Sequence, residues 1–105
     1  MSAIRVLLMT VPSAETAETI VNTLVAERLI ACGNITVPVT SIYRWADNIE
    51  RAEEVVVIIK TTEDAVTRVT ERIAELHPYD VPEVLSLAVE SGYGPYLNWV
   101  MESVV

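Results

Sequence analysis

The sequence predicts an α+β domain in which the order strand, helix, strand, strand, helix, strand is followed by one further helix. Three observations carry this reading. Residues 4–11 and 55–59 are apolar runs rich in Val, Ile and Leu, too short for buried helices and suited to strands. Two other segments, starting at Ala17 and Val66, repeat their apolar residues at steps of three and four, as a helix with one buried face does. A charged stretch around Asn48 separates two extended segments and marks a hairpin.

Each element has its own justification. The first strand, residues 4–11, is ended by Pro12 and Ser13. Ser13 suits an N-cap, and Glu15 and Glu18 lie where the helix dipole favours negative charge. Ala17, Ile20, Val21, Leu24 and Val25 then form a stripe reaching about Leu29, with Gly33 and Asn34 expected to stop the helix. Residues 35–45 read as the second strand, since Thr36, Val37, Val39, Ile42, Tyr43 and Trp45 are strand formers. Pro38 implies a bulge or an edge there. The segment exceeds the usual strand length of about six residues, and a long edge invites pairing with another chain. Residues 46–51 are expected as the hairpin tip. Residues 53–60 form the third strand, and the unbroken run Val55, Val56, Val57, Ile58, Ile59 predicts a central strand covered on both faces.

Thr61 and Asp64 stand at capping-box spacing ahead of the second helix. Val66, Val69, Ile73 and Leu76 give that helix its buried stripe, and Arg68, Glu71, Arg72 and Glu75 give it a solvated face. Residues 77–83 hold two prolines and read as a rigid loop. Residues 84–89 form the last strand. After a turn at 92–95, Pro95 opens a terminal helix with Leu97, Val100, Met101 and Val104 on one side. Two right-handed crossovers of this kind give a ferredoxin-like βαββαβ antiparallel sheet with an extended hairpin between its second and third strands. A doubly wound parallel sheet is the alternative, and the hairpin near Asn48 argues against it.

The chain, 105 residues long, fits a single domain spanning residues 1–105. Hydrophobic residues make up 51%, at the upper edge of the globular range, which points to apolar surface covered by another chain. A formal net charge of −8 repels phosphate backbones and anionic membranes, so neither nucleic acid nor membrane is expected as a partner. Cys32 is the only cysteine, which leaves no internal disulfide and no cysteine-rich zinc site. The apolar start is shorter than a signal h-region and no small-residue cleavage pattern follows it, so the expected compartment is the cytoplasm.

Residues 77–83 place an imidazole, a phenol and two carboxylates in one stiff loop, which lowers the entropy lost on holding a ligand. His77 can be a metal ligand, a proton carrier or a helix cap. Glu83 can complete a site as a carboxylate or sit as a strand-edge charge. Cys32 can act as a thiolate or soft ligand, or fill space as a small hydrophobe. Lys60 can hold an anion or cap a strand end. Tyr43, Trp45 and Trp99 can line a cleft between subunits or fill a core.

Five segments in one order carry a resemblance over nearly the whole chain: Ala31-Cys32-Gly33-Asn34, Thr40-Ser41-Ile42-Tyr43-Arg44-Trp45, Ile59-Lys60-Thr61, the loop from His77 through Glu83, and Tyr96-Leu97-Asn98-Trp99. The chain resembles the CutA proteins, associated with divalent-cation tolerance. The resemblance implies a ferredoxin-like protomer in a homotrimer, with the long second strand and its hairpin reaching a neighbour. It also implies binding of a divalent metal, copper in particular, with His77 as the matching ligand. Some members carry a Cys where this chain has Met9 and a second His where it has Leu76. A thioether suits Cu(I) and cannot replace a thiolate for Cu(II), so weak binding of Cu(II) or another divalent cation is expected, through His77 with Glu83 or Met9.

Two other classes compete. One is a regulatory module, analogous in architecture to trimeric PII-type nitrogen-signalling proteins, with Cys32, Lys60, Tyr79 and Glu83 lining a small-ligand pocket between protomers. The other is an enzyme with Cys32 as nucleophile and His77 as base; it lacks a third orienting group and an oxyanion hole, and an enzyme is not the expected reading.

Overall fold

Antiparallel pairing around one long strand organises the chain. The computed structural model describes residues 3–105. Its elements are β1 (Ile4–Val11), α1 (Ala14–Ala26), β2 (Cys32–Ile35), β3 (Val39–Trp45), β4 (Asn48–Thr62), α2 (Val66–Leu76), β5 (Val84–Ala88) and α3 (Gly94–Ser103), with a single 3-10 turn, Glu63–Ala65, leading into α2. The sheet order is β2-β4-β1-β5, and β3 pairs with the outer half of β4. All pairings are antiparallel, and the two crossovers give the expected ferredoxin-like α+β arrangement.

The extended second strand is two strands. Pro38 has no N–H to donate, and pairing lapses between Ile35 and Val39. Thr36 keeps the two in register, its N–H donating to the Val56 carbonyl and its hydroxyl accepting from the Val56 N–H. β4, at 15 residues, is the long element. The hairpin tip is also tighter than residues 46–51: Trp45 pairs with Asn48, and only Ala46 and Asp47 turn, at φ 49° and 66°. Two positive φ values make a type I′ turn, whose twist matches the strands it joins.

α1 begins as its sequence implies, with the Ser13 hydroxyl accepting from the Thr16 N–H at 3.2 Å. Its end does not. Gly33 and Asn34 lie in β2, and the helix stops at Ala26 with Arg28 at φ 59°. Leu29 N–H reaches the Leu24 carbonyl and Arg28 N–H the Val25 carbonyl, the Schellman pattern usually served by glycine. Tertiary bonds offset the strain: the Arg28 guanidinium donates to the Glu102 and Ser103 carbonyls at the end of α3, and the Arg28 carbonyl accepts from the Val105 N–H. Gly33 serves packing instead, because a Cβ there would lie 2.9 Å from Val21 on α1. The Thr61–Asp64 capping box does not form either. Thr61 belongs to β4 and donates its hydroxyl to the Leu29 carbonyl at 2.7 Å, and no side chain caps α2.

α1 and α2 cover one face of the sheet. Leu7, Met9, Val11, Val55, Val57 and Ile59 meet Ile20, Leu24, Val69 and Ile73 there, all essentially sealed. The other face is covered at one end only, where Val100 of α3 packs on Ile4 and Ala31. Along β4 the residues alternate, Val55, Val57 and Ile59 being buried and Val56, Ile58 and Lys60 half-buried. β4 is therefore central yet covered on one face, a correction to the reading of its apolar run. Val6, Leu8, Val56, Ile58, Leu85 and Leu87 form the open apolar face by register. The outer hairpin of β3 and β4 projects beyond the helices, and the molecule measures 44 × 26 × 24 Å.

Candidate functional site: an acidic, aromatic cleft under the hairpin

The site starts at the end of α2. Pro78 disfavours helical backbone at the residue before it, and His77 accordingly leaves the helix at φ −77°, ψ 138°. Its ring turns inward and is 7% exposed. Thr10 lies one residue past the last β1–β5 pair, Met9 with Val84. His77 Nε2–H donates to the Thr10 carbonyl at 2.7 Å, and Nδ1 accepts from the Tyr79 N–H at 3.1 Å. Both ring nitrogens are engaged, so in this geometry neither offers a lone pair to a metal.

Those two bonds set the course of the loop and bring Tyr79 over its own anchor, the rings 4.7 Å apart. The Tyr79 hydroxyl donates to Glu54 Oε2 at 2.8 Å. Burial, and then the Glu54 carboxylate, push the Tyr79 phenol up to about 12. The Glu54 side chain is 8% exposed, and the tyrosine hydroxyl is what satisfies its Oε2 there.

Around this pair lies a cleft of about 740 Å³. Its floor is Thr10 and Glu54, the hairpin contributes Ser41, Ile42, Tyr43 and Trp45, and the loop contributes Pro78, Tyr79, Asp80, Val81 and Glu83. Three carboxylates line it and no Lys or Arg does. Among the described residues no group of three His, Cys, Asp or Glu side chains is close enough to hold a metal ion. The carboxylates can attract a cation, and the rings of Tyr43, Trp45 and Tyr79 can stack on one.

The six candidate residues fall in different places. Tyr79 and Glu83 share the cleft, with His77 supporting its loop from behind. Met9 is fully buried in the core between sheet and helices, so its thioether cannot reach the cleft. Cys32 and Lys60 sit opposite each other at the other end of the sheet. There Cys32 Sγ lies 3.7 Å from the Tyr96 hydroxyl, and the Lys60 ammonium donates to the Asn34 side-chain carbonyl. Burial first, then this thiol, raise the Tyr96 phenol above its ordinary value. Cys32 and His77 are separated along β4 by the span from Lys60 to Val56, about 13 Å at strand rise. They form no catalytic dyad. The Cys32–Lys60 pair likewise lies away from the cleft that Tyr79 and Glu83 line. Glu54 was not legible as a site residue: it precedes a strand run and meets Tyr79 only through the fold.

Comparison with known proteins agrees with this architecture. Residues 5–103 match the family described as CutA1 divalent ion tolerance protein. The divalent-cation tolerance protein CutA of Thermus thermophilus is 46% identical, over 93% of this chain and 95% of its own. The protein of that name from Pyrococcus horikoshii is 45% identical, over 89% of this chain and 90% of its own. The solved Thermus thermophilus structure superimposes with a TM-score of 0.95 at 44% identity, covering 97% of this chain and 99% of its own. CutA1 from Oryza sativa gives 0.96 at 34% identity, covering 98% of this chain and 94% of its own. These relatives are named as tolerance proteins, not as enzymes. The chain belongs to the CutA1 divalent ion tolerance family.

Proposed function

We propose that the chain works in cation tolerance as a homotrimer that binds Cu(II) or another divalent cation weakly, in the acidic cleft where subunits meet. The observation that carries this reading is the uncovered sheet face beside that cleft. Leu85 and Leu87 are 53% and 49% exposed, and Val6, Leu8, Val56 and Ile58 continue the same apolar surface. A patch of this kind marks an interface, and a hairpin projecting past it extends the area two copies can share.

Glu83 and Asp80 are exposed on the cleft wall, and Glu54 keeps one oxygen outside its tyrosine bond. Carboxylates alone suit hard divalent ions, whereas copper prefers imidazole, and His77 can join only by giving up Thr10 or Tyr79. Weak binding with Glu83 as the principal donor follows. Calorimetric titration with Mn(II) and Cu(II) tests this. Glu83→Gln is expected to weaken binding about tenfold; unchanged binding in Glu83→Gln would overturn the donor assignment.

The size and aromatic lining of the cleft favour a second reading, a PII-like module holding a small ligand between protomers. Cys32 and Lys60 would then have to come from the neighbouring subunit. A thermal-shift screen of nucleotides would support it if Tyr79→Phe and Lys60→Ala both abolished the same hit.

A further inference from the structure

We infer that the resident cation of the acidic cleft is a guanidinium of the next protomer, carried by Arg44 and Arg51 on the outer face of its hairpin. This rests on the homotrimer reading above and specifies its chemistry.

The placement of positive charge in the protomer points there. The chain has seven cationic side chains. Five have partners among the described residues: Arg5 holds Glu63 at 2.7 Å, Arg72 holds Glu27 at 2.8 Å, Arg28 and Arg68 hold C-terminal carbonyls, and Lys60 holds Asn34. Arg44 and Arg51 are the remaining two, and neither has a hydrogen bond or ion pair among the described residues. Both are exposed, and both lie on the one segment that projects from the body. The cleft shows the opposite imbalance, with Glu54, Asp80 and Glu83 and no cation on its walls.

Register places the two surfaces back to back. Arg44 faces Ile49 across the hairpin and Ile42 faces Arg51, so these four residues share one side. Ile42 and Ile49 are 63% and 73% exposed, which makes that side both basic and apolar. Ser41, Tyr43 and Trp45, one step out of phase, look to the cleft, and of the outer row only Ile42 reaches its lining, whereas Arg44 and Arg51 do not. A protomer cannot fold the outer side of its hairpin into a cleft on the inner side. A second copy can present it. Donor and acceptor surfaces differ, so the contact is head-to-tail, and a head-to-tail contact closes into a ring of three where a two-fold contact would not.

The residue types fit. A guanidinium is planar and weakly hydrated, stacks on aromatic faces and forks onto carboxylates. The cleft offers Tyr43, Trp45 and Tyr79 as faces. Glu54, buried and fixed by Tyr79, gives a carboxylate whose position is set before the partner arrives. The same carboxylates are those proposed for a divalent cation, so guanidinium and metal compete for one set of oxygens.

A charge-swap series read by analytical ultracentrifugation tests the contact. Arg44 and Arg51 lie on an exposed hairpin, and circular dichroism checks that each variant keeps the fold. Arg44→Glu with Arg51→Glu is expected to raise the trimer dissociation constant about tenfold or more, as is Asp80→Lys with Glu83→Lys. Because every protomer supplies both surfaces, combining all four substitutions in one chain is expected to restore association towards wild type. The arginine pair changed to Gln is expected to tighten Mn(II) binding. A trimer indifferent to the arginine reversal, or a fourfold variant no better than either pair, would overturn the contact and leave the trimer standing. A monomeric wild type would overturn both.

Discussion

Val57 and Ile58 are neighbours on one strand and meet different worlds. Val57 faces the helices and is fully sealed, and Ile58 faces the side that α3 only partly covers. The same alternation runs through β1, with Leu7 and Met9 on the sealed side and Val6 and Leu8 on the open side. Both faces are apolar, and only one is fully covered within the chain. The sealed face determines the fold. The open face, with the hairpin beside it, is the surface proposed above to meet another copy.

Substitutions sort by face. The largest effect is expected on the sealed side, where Ile73→Ala or Leu24→Ala removes packing that nothing else can fill and costs about 2–5 kcal/mol, read from urea unfolding. A loss below about 1 kcal/mol would show that this face is less tightly organised than its burial implies. Next is His77→Ala, which leaves the Thr10 carbonyl and the Tyr79 N–H without their partner. It is expected to cost about 1–3 kcal/mol and to loosen the loop, seen as faster amide exchange at Tyr79.

A smaller effect concerns the alkaline limb of stability. Tyr79 titrates in the fold near 12, above the ordinary value of 10, so the folded state holds that proton more tightly than the unfolded chain. The resulting stabilisation is complete below pH 10 and is lost as pH rises from 10 through about 12. Glu54→Gln is expected to bring Tyr79 down towards 10 without reaching it, because burial is the larger cause and remains. Carbon-13 NMR of labelled tyrosine reads this directly, and an unmoved Tyr79 would remove Glu54 from the account. The smallest effect lies at the hairpin tip. Ala46→Gly relieves a positive φ and is expected to stabilise by about 0.5–1 kcal/mol, with no change in the cleft.

The two faces also differ in how far the sequence discloses them. Residues 4–11, the start of α1 at Ser13, the Val66–Leu76 stripe and the rigid loop are local patterns, and each appears where its pattern places it. Local pattern misleads where a distant partner decides. Arg28 ends α1 in a conformation that glycine usually takes, because α3 receives its guanidinium. Ala46 and Asp47 turn the hairpin without glycine. Thr61 looks like a cap and is a strand residue bonded to Leu29. In the site, the loop was legible as a stiff set of polar groups, but His77 spends both nitrogens on holding it. The separation of Cys32 and Lys60 from Tyr79 and Glu83 depends on strand register, which no spacing reveals. Glu54 appeared as one more charge before an apolar run, and only the fold brings Tyr79, 25 residues on, to its carboxylate.

The central claim is that the open face is finished by other copies of this chain. Sedimentation equilibrium on the wild type and on Leu85→Asp with Leu87→Asp tests it most directly. The expected result is a wild-type mass three times the 11.6 kDa of one chain, and a variant that sediments as a folded monomer with unchanged far-ultraviolet circular dichroism. A wild type that sediments as a monomer, or a variant that stays trimeric, would contradict it.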